Sequence, residues 1–87
     1  MSNNTFFDLC KREVVEYFNQ HADKTDQKKI TEDDVFIVWA CKILQNNKAL
    51  VSTTVPDGMY YEVTYDGDKQ QAYVDIYKKW QNYSVIV

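Results

Sequence analysis

The chain has 87 residues, of which 45% are hydrophobic and 26% charged, and its net charge is −3 at neutral pH. That length makes a single domain over residues 1–87, and a composition with only two Gly and one Pro excludes a low-complexity chain. The charge excludes a strongly basic, phosphate-tracking surface: residues 1–34 hold five basic and eight acidic side chains, and residues 35–87 hold five of each.

Taken from the N-terminal end, the spacing of Phe7, Cys10, Val14 and Phe18, joined by Phe6 and Tyr17, predicts an amphipathic helix over residues 5–20. Thr5 is expected to cap it, with Asp8 three residues on. Lys11, Arg12, Glu13, Glu16 and Gln20 fall on the opposite side. Residues 21–34 are polar apart from Ala22 and Ile30 and read as a connecting loop. Within it Thr31-Glu32-Asp33-Asp34 repeats the capping pattern, where a helical turn can begin.

Val35–Leu44 is apolar all round, and its β-branched and aromatic content favours a strand over a buried helix. Turn signals then alternate with β-prone runs. Asn46-Asn47 precedes Ala49–Thr54, Pro56-Asp57-Gly58 precedes Met59–Tyr65, and Asp66-Gly67-Asp68 precedes Gln71–Tyr77. The expected fold class is α+β: the helix packed on an antiparallel meander of about four strands. Residues 78–87 read as either a further strand or a helix, the latter because Tyr73, Ile76, Tyr77 and Trp80 also fit helical spacing.

Register arithmetic sorts the strands into two faces. With a two-residue turn at Asn46-Asn47 and an even loop at Pro56-Asp57-Gly58, one face holds Ile37, Trp39, Cys41, Ile43, Leu50, Tyr61, Val63, Ala72, Val74 and Ile76. It is nearly all apolar and is expected to meet the helix. The other holds Phe36, Val38, Ala40, Lys42, Leu44, Ala49, Val51, Thr53, Tyr60, Glu62, Thr64, Tyr73, Asp75 and Tyr77. That face is mixed where a solvated face would alternate cleanly, and one helix covers only one side. Residues 78–87, a second copy or another protein should cover it. The expected contact residues are Phe36, Val38, Tyr60, Tyr73 and Tyr77.

Catalytic, metal and cofactor sites are not expected. His21 is the lone histidine and falls in a polar segment, and Cys10 and Cys41 have no zinc-binding spacing and fall at positions expected to face the core. The stretch from Asp23 to Asp34 has Lys28 where a calcium-binding helix–loop–helix needs glycine, and Asp-Gly pairs are ordinary turn chemistry. The leading function is a non-catalytic protein–protein interaction module. The alternative is a single-stranded nucleic-acid binder that stacks bases on the sheet tyrosines, less favoured because that mode also needs a basic groove. With neither a secretory signal pattern nor a membrane-length apolar run, a cytoplasmic protein is expected.

The run from Val38 to Lys69, VWACKILQNNKALVSTTVPDGMYYEVTYDGDK, together with Tyr73-Val-Asp-Ile-Tyr-Lys-Lys79, resembles a family of small uncharacterised proteins from phages and prophages of Gram-positive bacteria. The likeness spans roughly residues 6–82. It implies a phage-encoded protein that acts in the host cytoplasm on a host or phage protein, and it carries over no functional residue.

Overall fold

The computed structural model describes residues 1–21 and 29–87. Helix α1 spans Asn3–His21, and a single 3-10 turn at Glu32–Asp34 leads into the strands β1 (Val35–Ile43), β2 (Asn46–Thr53), β3 (Met59–Asp66) and β4 (Gln71–Lys78). The strands form one antiparallel sheet in the order β1-β2-β3-β4, with α1 packed on one face. The fold is therefore the α+β helix-on-meander expected from the sequence. The connecting loop read over residues 21–34 lies partly outside the described residues, since 22–28 are among those not described.

Helix α1 begins two residues earlier than expected because Ser2, not Thr5, closes its first turn. The Ser2 hydroxyl accepts from the Thr5 backbone N–H at 3.2 Å, and the Ser2 carbonyl accepts from the Phe6 N–H at 2.9 Å. His21 is the last helical residue rather than a loop residue. Its ring stacks on Tyr17 at 4.0 Å, and its Nδ1 donates to the Tyr17 carbonyl at 2.8 Å. The Asn19 amide then ties the helix end to the chain entering the sheet, accepting from the Ile30 N–H at 2.9 Å and donating to the Ile30 carbonyl at 3.0 Å. At the second capping pattern the Asp34 carboxylate accepts from the Thr31 N–H at 2.9 Å, and the helical turn does form there.

The buried stripe of α1 is Phe6, Cys10, Val14 and Phe18, one residue per turn. It meets two cross-strand rows, Ile37-Val51-Tyr61-Ile76 and Ala40-Ala49-Val63-Val74. Ala49, with nothing beyond Cβ, lets the helix approach the middle of the sheet. The edge of the Tyr17 ring meets the Tyr61 ring with centroids 6.0 Å apart.

The face assignment of β1 and β2 differs from the sequence expectation. Trp39, Cys41, Ile43 and Leu50, expected against the helix, stand on the opposite face, and Ala49, Val51 and Thr53 take the buried side. The first turn falls at Leu44-Gln45 instead of Asn46-Asn47, but a two-residue displacement leaves the faces unchanged. The inversion comes from the loop between β2 and β3, which has five residues, Thr54–Gly58, where an even number was expected. Gly58 supplies the odd residue at φ 72°, and the Asp57 carboxylate accepts from the Met59 N–H at 3.0 Å. A bulge at Val38 then flips the start of β1 back, so Val35 and Ile37 stay on the helix side.

The turns at the other end of the sheet are held together. Asn46 Oδ1 accepts from the Gly67 N–H at 3.0 Å, and the Gln45 amide donates to the Asp68 carboxylate. A Cβ at Gly67 would run into the Gln45 backbone carbonyl and side chain, whereas one at Gly58 would meet only Lys79 Cβ at 3.8 Å. Gly67→Ala is therefore expected to lower stability by about 1–3 kcal/mol through forced separation of the two turns. Gly58→Ala should cost about 1 kcal/mol through its positive φ alone. Urea midpoints of the two variants check the ranking, and a larger loss at Gly58 would contradict this account of the turns.

Candidate functional site: the open face of the sheet

The side of the sheet away from α1 is covered by nothing among the described residues. Strand pairing sorts it into rows. At one end Phe36 pairs with Ser52, and Tyr60 with Tyr77. In the second, Val38 and Trp39 together stand opposite Leu50, followed by Glu62 and Asp75. Cys41, Lys48, Thr64 and Tyr73 form the third, and at the far end Ile43 pairs with Asn46, and Asp66 with Gln71.

All five residues expected to make contacts belong to this surface. Phe36, Val38, Tyr73 and Tyr77 are 44–52% exposed, and Tyr60 is half-buried, paired directly across from Tyr77. Sequence reasoning missed Trp39, 46% exposed beside Val38, and Ile43, 67% exposed at the far end of β1. It also placed the Cys41 thiol in the core, yet that thiol is exposed on this face. The signal that would have found them is the odd loop length at Thr54–Gly58, which no single residue announces. Ala40, Lys42, Ala49, Val51 and Thr53, expected on this face, belong to the other one, and Leu44 sits in the turn.

The charges are sparse and of both signs. Lys48 Nζ lies 3.2 Å from the Glu62 carboxylate on the neighbouring strand. Asp75 is in no ion pair among the described residues. At the β4 end Lys79 Nζ lies 5.9 Å from the centre of the Tyr60 ring. A hollow of about 240 Å³ opens toward the first turn, lined by Cys41, Ile43, Asn46, Asn47, Lys48 and Thr64. It falls below the roughly 300–1,000 Å³ of small-molecule sites and suits one large side chain better than a cofactor. On the helix side a second hollow of about 280 Å³ separates α1 from β4, with Val74 and Ile76 below Glu13, Glu16, Tyr17 and Gln20.

Of residues 78–87, expected as strand or helix, Lys78 ends β4 and 79–87 form neither. Past a single bond from the Lys79 N–H to the Gly58 carbonyl at 2.8 Å, the segment leaves the sheet. Trp80, Tyr83, Val85, Ile86 and Val87 are 72–115% exposed, so these five side chains are not packed on their own open face.

The Cys10 thiol is buried in the core and pushed up to about 12 by loss of solvation. No group of three His, Cys, Asp or Glu side chains among the described residues is placed to hold a metal ion. No helix among the described residues is long and apolar enough to cross a membrane.

A family model matches residues 7–87, and the chain belongs to that family, which is a family of unknown function (DUF6275). No curated protein and no solved structure matches.

Proposed function

We propose that this chain is a non-catalytic protein-binding module that takes a polypeptide on the open face of its sheet. The observation that carries this reading is the set of half-exposed apolar and aromatic side chains there, Phe36, Val38, Trp39, Tyr73 and Tyr77, with no layer over them among the described residues. Four strands about 4.8 Å apart with eight residues of about 3.3 Å rise make a face of roughly 19 by 26 Å. A contiguous apolar surface of several hundred Å² marks an interaction site on a soluble domain. Tyr and Trp suit it, because they supply large contact area with few rotatable bonds. On the phage resemblance the partner is a host or phage protein and the compartment the host cytoplasm.

Nucleic-acid stacking has less support. Glu62 and Asp75 stand in the middle of the face, and Lys48 is already engaged by Glu62. A strand of phosphates laid over Tyr60, Tyr73 and Tyr77 would pass these carboxylates.

The test uses Tyr60→Ala combined with Tyr77→Ala. Both residues lie outside the helix-side core, so circular dichroism should report an unchanged fold. Proteins captured from a host lysate by the wild-type chain should fall at least about tenfold in yield with the double variant. Undiminished capture by a folded double variant would remove this face as the site. Anisotropy with labelled single-stranded oligonucleotides at low salt should show no binding in the micromolar range.

A further inference from the structure

We infer that the polypeptide seated on the open face is a second copy of this chain, with residues 79–87 of each copy laid across the face of the other. The inference rests on the protein-binding reading above and names the partner.

Two apolar surfaces of one molecule lack a cover. One is the sheet face. The other is the segment after β4, where five of the nine residues from Lys79 to Val87 are large hydrophobics with 72% exposure or more. Leaving such side chains in water forgoes roughly 1.5–3 kcal/mol apiece relative to burial. The family match runs through residue 87, so this segment belongs to the shared domain and not to an appended piece.

Area and charge favour exchange over simple stacking. A face of roughly 19 by 26 Å offers about 500 Å², short of the roughly 800 Å² per partner of a standard stable interface. A nine-residue extended segment reaches about 30 Å and supplies the remainder. Stacking two bare faces about a two-fold axis would bring Glu62 and Asp75 of one copy toward the same carboxylates of the other. Trp80–Val87 carries no charged side chain, so a segment laid across the face adds no like charge to that acidic middle. The hollow beside Cys41 and Ile43 gives one of the segment's large side chains a seat.

Own-chain coverage is not what the structure shows. β4 and the bond from Lys79 to Gly58 direct the segment off the end of the sheet, and Ile86 and Val87 make no packing contact that reduces their exposure. A reciprocal exchange satisfies both surfaces in both copies and closes on itself, so it ends at the dimer.

Sedimentation equilibrium across the micromolar range tests this on the full chain and on a full-length variant with Trp80→Ser and Ile86→Asp. Both positions are almost fully exposed, at 96% and 103%, so the variant leaves the packing of each copy alone. The wild type should dimerise, and the variant's dissociation constant should rise at least about tenfold. Labelling of the exposed Cys41 thiol should slow as wild-type concentration rises and stay fast in the variant. A wild type that remains monomeric overturns the inference. So does a variant that dimerises as tightly as wild type, or a Cys41 thiol protected equally at every concentration, which would mean a segment folded back on its own sheet. A monomeric wild type whose captured proteins still depend on Tyr60 and Tyr77 would leave the protein-binding reading standing and remove only the self-partner.

Discussion

Val51→Asp is expected to unfold the protein, and Leu50→Asp, one residue away, to leave it folded. Val51 has no exposed surface and lies in the row Ile37-Val51-Tyr61-Ile76 beneath α1. An unpaired carboxylate there costs about 3–5 kcal/mol, and the lost apolar burial adds about 1.5–3. A domain of this size has roughly 4–13 kcal/mol of stability in all, so most of it is consumed. Leu50 stands on the open face between Trp39 and Glu62. A carboxylate at that position meets water on one side and the Glu62 charge on the other, which costs up to about 1 kcal/mol. Far-UV circular dichroism and urea titration of the two variants measure the contrast. The opposite result, with Leu50→Asp unfolded and Val51→Asp native, would mean that β1 and β2 present the faces expected from the sequence and that the five-residue loop is misplaced.

The second large effect is on the alkaline side. Cys10 sits at 0% exposure in the middle of the helix stripe, and burial raises its thiol from about 9.0 to about 12. The hydroxyl of Tyr61 is raised as well, by burial first and then by the Asp57 carboxylate and Tyr17. A raised folded-state pKa means that the stabilisation is complete below the unfolded-state value and is lost as pH rises toward the folded one. The unfolded chain sheds these protons first, so stability falls from about pH 9 upward, by up to about 1.4 kcal/mol per pH unit from Cys10 alone. Tyr61 steepens the fall above about pH 10. Urea unfolding at intervals between about pH 8 and about pH 11 should show this slope in the wild type and a clearly flatter one in Cys10→Ala. Equal slopes in the two proteins would show that the Cys10 thiol titrates normally in the folded state.

The elements themselves were legible in the amino-acid order for local reasons. Phe6, Cys10, Val14 and Phe18 recur with the helical period, so the buried stripe of α1 followed from spacing alone. β-Branched and aromatic runs separated by Asn, Asp, Gly and Pro gave four strands within a few residues of their true ends, and short connections made the sheet a meander. Tyr60, Tyr73 and Tyr77 were correctly placed on the open face because they alternate with Tyr61, Val63, Val74 and Ile76 inside single strands. That alternation does not depend on any loop.

What joins one strand to the next was decided only in three dimensions. Whether Ala49 and Val51 or Leu50 and Trp39 meet the helix depends on one residue more or less between Thr53 and Met59, and Gly58 at positive φ accommodates the odd count. Two asparagines look like turn residues, but Asn46 holds the Gly67 N–H. Asn47 is buried at 2% exposure with neither side-chain polar atom partnered by the protein, a placement no local preference selects. The bulge at Val38 likewise keeps Phe36 on the open face and Ile37 beneath the helix. Period and turn chemistry act over a few residues, so the sequence alone determined the helix, the strands and their order. The choice of face sums over the whole meander, and only the packing of α1 on Ala49, Val51, Tyr61 and Val63 selects one sum over the other.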